Sequence, residues 1–243
     1  MSILEKLKTL FKASKPIYLD CYTDDASVFK YAPIVRGTKL MPSWWKKLDS
    51  TGLSNMRQCV GMMNLYSKSF IIPLWCESHF WFDEFGGINW QFYDYKTEVK
   101  VHNYEQRKGW LDENNFAHAK IESPWVIKCS EPINFLWKSV EWEKTDFSKY
   151  LILGGCVEFL YQTTSNINLM FKKQDKDEKI IFGLNQPMVH LIPMTERKVN
   201  LRVHLVSSEE LFKLRAIMPP ISKGRYKVLK EHGQNEKKCP FGF

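Results

Sequence analysis

Six histidines are the first place to look for chemistry in this chain: His79, His102, His118, His190, His204 and His232. An iron centre of the two-histidine, one-carboxylate kind needs two imidazoles and a carboxylate on one face of the metal. Jelly-roll oxygenases commonly write it as His-x-Asp/Glu with a distant second histidine. Here the residues two places on are Trp81, Tyr104, Lys120, Ile192, Val206 and Gln234, so that form is absent, as is His-x-His with a downstream glutamate. What is left is the pair His190 and His204, in PMVHLIPM and LRVHLV. They fall on two consecutive strands whose antiparallel pairing would bring the imidazoles together, with His118 or Glu158 completing a site for a divalent transition metal. The plainer reading is that lone histidines in apolar strands are satisfied core groups, because no spacing here selects a metal. Glu158, in CVEFLY, is expected to face outward by strand alternation.

Nucleophilic catalysis needs a thiol or hydroxyl beside a base. Cys76 and His79 are close in sequence, but three residues apart on a strand they point to opposite faces, so Cys76 reads as a buried structural cysteine. Trp44, Trp45, Lys46 and Lys47 set two stacking rings beside two cations, the combination that single-strand nucleic-acid binders use. Their alternative role is as hydrophobic plugs with the lysines in solvent. The chain holds no phosphate-cradling glycine loop, no dinucleotide fingerprint, no Gly-x-Ser-x-Gly elbow, no His-Glu-x-x-His and no close cysteine pair for zinc. No motif names a reaction.

The elements that would position these groups read mainly as β. A strand is expected in PIYLDCYT, then a loop at Asp24–Asp25 and an extended run over Tyr31 to Val35. Ser54 would cap a helix over 54–65. Phe70 to Phe82 reads as one strand, apolar on both faces at its start and hence central in a sheet, with a bulge or edge at Pro73. Gly86-Gly87 turns a hairpin into Ile88–Tyr93. Further strands are expected over 99–104, 124–129, 133–137, 150–161 (bent at Gly154-Gly155), 167–172, 179–182, 188–194 and 199–206. Ser207 and Glu210 form a capping box that opens a helix ending before Pro219-Pro220, over about 208–218. Residues 1–14 carry an amphipathic helix with Ile3, Leu4, Leu7, Leu10 and Phe11 on one face, and 223–243 form a basic tail. About ten short strands with helices at the ends, and no linker or repeat, predict one β-sandwich or jelly-roll domain over 1–243.

Composition narrows the classes. With 44% apolar, 14% aromatic and 26% charged residues among 243, the chain can bury an aromatic-rich core. The net charge of +8 permits acidic partners, anionic surfaces or nucleic acid without requiring them, since the lysines are spread along the chain. The six cysteines mostly sit in apolar runs, no signal peptide is apparent and no apolar stretch reaches ~18 residues. A non-secreted protein in a reducing compartment, without a transmembrane segment, is expected.

The segment Pro42-Ser43-Trp44-Trp45-Lys46-Lys47-Leu48, a cysteine in the short helix that follows, and Ile71-Ile72-Pro73-Leu74-Trp75-Cys76 resemble uncharacterised proteins of tailed phages of marine bacteria. Ser123-Pro124-Trp125, Asn134-Phe135-Leu136-Trp137 and Pro187 to Pro193 are similar to a wider bacterial and viral domain of unknown function. The likeness covers roughly residues 40–195, and many relatives have Cys-Pro where this chain has Cys59-Val60. The resemblance implies a phage source, in the host cytoplasm or the virion, and no mechanism. The function expected is therefore non-enzymatic binding or assembly, through a protein partner or self-association and with no cofactor. A metal-dependent jelly-roll enzyme and a single-stranded nucleic-acid binder are the alternatives.

Overall fold

Alternation on the first strand sets the first sheet. β1 (Ile17–Thr23) buries Ile17, Leu19 and Cys21 and turns Tyr18 and Tyr22 outward, the period of two that a half-covered strand requires. The computed structural model describes residues 15–49, 55–112, 114–143, 148–160, 163–175 and 178–216. In it β1 lies between β8 (Val126–Cys129), antiparallel, and β15 (Val199–Leu205), parallel.

Three more sheets are formed among the described residues. The second runs β10 (Tyr150–Ile152), β12 (Ile167–Lys172), β7 (Phe116–Ile121), β6 (Val99–His102). The third runs β11 (Gly155–Glu158), β9 (Asn134–Ser139), β14 (Pro187–Pro193), β3 (Phe70–Pro73), β2 (Val35–Arg36). The fourth is β13 (Ile180–Phe182), β4 (Ser78–Phe82), β5 (Ile88–Phe92). One apolar core draws on all four, from Leu19 and Ile127 through Leu169 and Phe171 to Leu191, Phe135, Phe80 and Phe182. Phe80 is its hub, with ring centroids 4.8 Å from Phe171, 5.7 Å from Phe182 and 5.8 Å from Phe92. The protein is thus mainly β, in a sandwich arrangement with short flanking helices.

The third sheet is covered on both sides. Phe70, Ile72, Val189 and Leu191 face the main core. Ile71 faces Met41, Met62 and Tyr66, a second cluster carried partly by a helix. That double burial is what the unbroken run FIIPLW demands.

Four α-helices are described: α1 (Ala26–Tyr31), α2 (Ser43–Lys46), α3 (Val60–Lys68) and α4 (Ser208–Ala216). α4 opens as the capping box requires, Glu210 N–H donating to Ser207 Oγ at 3.2 Å. Several expectations need correction. α1 occupies a stretch to which no element was assigned, capped by Asp25, whose side chain accepts from Val28 N–H. The extended run expected over Tyr31 to Val35 shrinks to β2 at Val35–Arg36 because α1 takes Tyr31. The helix expected over 54–65 begins at Val60, with the Cys59 thiol at its N-cap, after a single turn over Met56–Gln58. The one strand expected over Phe70–Phe82 is two, β3 and β4, in different sheets. β7 occupies a stretch to which no strand was assigned. The helix over 1–14, Ser54 and the tail at 223–243 lie outside the described residues. No described helix is long and apolar enough to cross a membrane.

Candidate functional site

A strand that changes sheets leaves a gap behind it. The chain leaves β3 at Pro73 and enters β4 at Ser78, and the link between is pinned by Leu74 N–H to Gln186 O and Asn185 N–H to Leu74 O, both 2.8 Å. The link presents Trp75, Cys76 and Glu77 to a pocket of about 580 Å³. The segment after β5 adds Tyr93, Asp94 and Tyr95, tied back by Tyr93 N–H to Glu77 O at 3.0 Å, while α1 adds Val28 and Tyr31. Asp94 has a φ of 58°, a left-handed conformation that aspartate tolerates better than most residues. Trp75 is fixed by its indole N–H to Thr97 Oγ1 at 3.0 Å and by the edge of Tyr95, centroids 6.5 Å apart. Tyr31 stands at the mouth, 56% exposed. The lining therefore joins four aromatic rings to two carboxylates, and among the described residues it includes no basic side chain.

Electrostatics at this pocket argue against nucleophilic work. Burial pushes the Cys76 thiol up to about 12, so it stays protonated at neutral pH and is a poor nucleophile. Burial, then Asp25 and Asp24, pushes the Tyr95 hydroxyl up to about 12, with Arg215 opposing. His79 stands behind two of the lining residues: Nε2 is 2.9 Å from Glu77 Oε1 and Nδ1 is 3.3 Å from the Tyr93 hydroxyl. Because a carboxylate only accepts, Nε2 donates to Glu77.

A second strand that changes sheets makes a second cleft. Between β10 and β11 the chain passes Leu153 and Gly154 from the second sheet to the third, where a Cβ on Gly154 would meet the Trp137 carbonyl at 3.2 Å. The cleft beside it, also about 580 Å³, is lined by His118 and Lys120 of β7, Thr164, Asn166 and Asn168 before and on β12, and Trp137, Cys156 and Val157 of the third sheet. Its chemistry is amide and basic. The His118 ring stacks on His102, centroids 4.3 Å apart and planes 18° from parallel. The Nε2 atoms of both rings are buried without a hydrogen-bond partner. A metal must lie near the plane of each imidazole it binds at ~2.0–2.1 Å. Stacked planes this nearly parallel share no such point, so these two rings do not chelate one ion. Burial first, then His102, holds His118 below the usual histidine range.

The expected metal pair is not brought together by strand pairing. β14 has both edges taken, by β9 and β3, and β15 pairs with β1, so His190 and His204 stand in different sheets. His190 is fully buried, its Nδ1 3.0 Å from Ser69 Oγ and its ring edge-on to Tyr66 at 4.8 Å. Burial brings it down to about 4. His204 instead meets Asp20, Nε2 to Oδ1 at 2.7 Å, while Arg202 forks onto both oxygens of the same carboxylate at 2.6 and 2.7 Å. Tyr22 stacks on His204 at 4.7 Å, and Arg202 lies over Tyr18 at 3.9 Å. Burial raises Asp20, but Arg202 and His204 outweigh it and hold the carboxyl below its ordinary value. Glu158 is buried rather than outward-facing. No group of three His, Cys, Asp or Glu side chains is placed to hold a metal among the described residues.

Trp44 and Trp45 sit on α2 over the second apolar cluster, both half-buried, with Lys46 and Lys47 exposed. The Trp44 indole N–H donates to Trp142 O at 2.7 Å, and Arg57 lies over the Trp45 ring at 5.1 Å. Each ring thus packs within the chain while remaining part-exposed. The groups missed by sequence reasoning are the aromatic pocket and the Asp20–Arg202–His204 cluster, whose members lie far apart in the chain. No family model matches the chain, and no curated protein or solved structure shows a detectable match to it.

Proposed function

We propose that this chain is a non-enzymatic binding protein, of the phage type that its tryptophan and proline motifs resemble, and that its site is the aromatic pocket between β3 and β4. The ligand is a cation on a protein partner, the guanidinium or ammonium of an arginine or lysine. One observation carries this reading: in a chain of net charge +8, the pocket combines Tyr31, Trp75, Tyr93 and Tyr95 with Glu77 and Asp94, and among the described residues no cation lines it. An aromatic face attracts a cation by about 0.5–2 kcal/mol, and adjacent carboxylates add charge-assisted hydrogen bonds. A partner of this chemistry includes a second copy, because the protein's own surface is rich in lysine. The high Cys76 value and the engagement of His79 with Glu77 and Tyr93 favour binding over catalysis here.

The test is calorimetric titration of the whole protein with N-acetyl-arginine amide. Saturable binding is expected, weakened about tenfold by Asp94→Asn, which keeps the left-handed backbone accessible while removing the charge. An affinity unchanged by Asp94→Asn and by Tyr31→Ala would sink the proposal. Native mass spectrometry of the same samples reports whether a second copy is the partner.

A further inference from the structure

The cleft between the second and third sheets is a site of the opposite sign. We infer that it receives the anionic group, phosphate or carboxylate, of a small polar molecule, held by Lys120 and His118 and read by Asn166 and Asn168. The argument rests on four observations that are independent of the aromatic pocket.

First, among the described residues no carboxylate lines the cleft. Second, Lys100 takes both neighbouring acids at close range, Glu98 at 3.1 Å and Glu122 at 2.6 Å, and among the described residues Lys120 makes no ion pair within 4 Å, although Glu122 feels its charge. Lys120 is only partly exposed, where a cation gains more from an incoming anion than it would in bulk water. Third, His118 lines the cleft, and its Nε2, covered in this structure, has no hydrogen-bond partner among the described residues. A buried polar atom without a partner is unfavourable unless a ligand or water completes it. Fourth, the volume of about 580 Å³ exceeds what a bare ion fills and falls in the range of small-molecule sites. The amides of Asn166 and Asn168 and the hydroxyl of Thr164 offer both donors and acceptors to the rest of such a molecule. Gly154 and Gly155 supply a wall without side chains, and a Cβ at Gly155 would have met open space.

The experiment is an NMR titration of the full chain at constant ionic strength, with inorganic phosphate in one arm and acetate in the other. The readout is the His118 ring, together with the apparent affinity. Saturable shifts of His118 in either arm, weakened at least tenfold by Lys120→Met and by His118→Gln, support the site, and the arm that binds more tightly identifies the anion. Asp94→Asn, in the aromatic pocket, is expected to leave these shifts unchanged. Overturning results are an absence of saturation in both arms, or saturation that Lys120→Met leaves intact. The latter would assign the anion to the general basic surface. Modification of the exposed thiol of Cys156, verified by peptide mapping, is expected to block the same shifts.

Discussion

The two clefts have the same volume and opposite linings, one aromatic and acidic, the other amide and basic. Both arise at places where the chain abandons one sheet for another, at 74–77 and at 153–154. Along a continuous ladder, side chains stand in regular rows and fill the space between sheets. At a crossing the rows diverge, the backbone turns through the gap and a concavity is left. The architecture therefore supplies the cavities, and local sequence decides their chemistry: W-C-E against Y-D-Y in one case, H-A-K against N-I-N in the other.

The comparison breaks most severely if the common core is removed. Phe80 is fully buried and touches rings from the second and fourth sheets. Phe80→Ala is expected to destabilise the fold by about 3–5 kcal/mol, lowering the urea midpoint and abolishing both binding activities together. Loss of one with retention of the other would show that the clefts do not depend on one cooperative body.

Acid is the next largest lever. The imidazole of His190 is held down to about 4 in the folded protein against 6.5 when unfolded. The unfolded chain takes up the proton first, so this stability is present above about pH 6.5 and is lost as pH falls towards 4, amounting to about 3 kcal/mol. His118, also held low, acts with the same sign. Asp20, whose carboxyl is depressed below 3.8, contributes only at more acid pH. Unfolding free energies measured by urea at pH 7, 5.5 and 4.5 should decline across that series, and a flat profile would contradict it. The smallest effect is expected from Gly154→Ala, which presses a methyl towards the Trp137 carbonyl: about 1 kcal/mol of stability. It should weaken phosphate or acetate binding while leaving arginine amide binding unchanged.

Much of the strand pattern was readable because it was local. Ile167, Leu169 and Phe171 recur at every second position of one strand, Gly86 at φ 76° turns the β4–β5 hairpin, and Ser207 with Glu210 announces α4. β7 was not, because FAHAKI puts alanines at positions facing the interior and looks too polar for a strand. The helix at Ala26–Tyr31 was hidden by its brevity, six residues with one buried side chain. The crossing at Leu74 was masked by continuous hydrophobicity, which a chain keeps when it is buried in two sheets in succession. Neither cleft was legible, since each takes its residues from elements far apart in the chain. His204 shows the same limit. Its partner Asp20 is 184 residues away, and only the parallel pairing of β1 with β15 brings them together.

That pairing also sets the order in which the protein can assemble. On the ribosome β1 emerges before β15, and β8 gives it a neighbour on one side only. Its other edge keeps an open row of amide and carbonyl groups until Val199 to Leu205 has been synthesised. Such an edge invites other strands, and contacts of this sequence separation form slowly. A stalled chain lacking β15 would thus be left with a ready template for aggregation, whereas the arrival of β15 closes the sheet in one step.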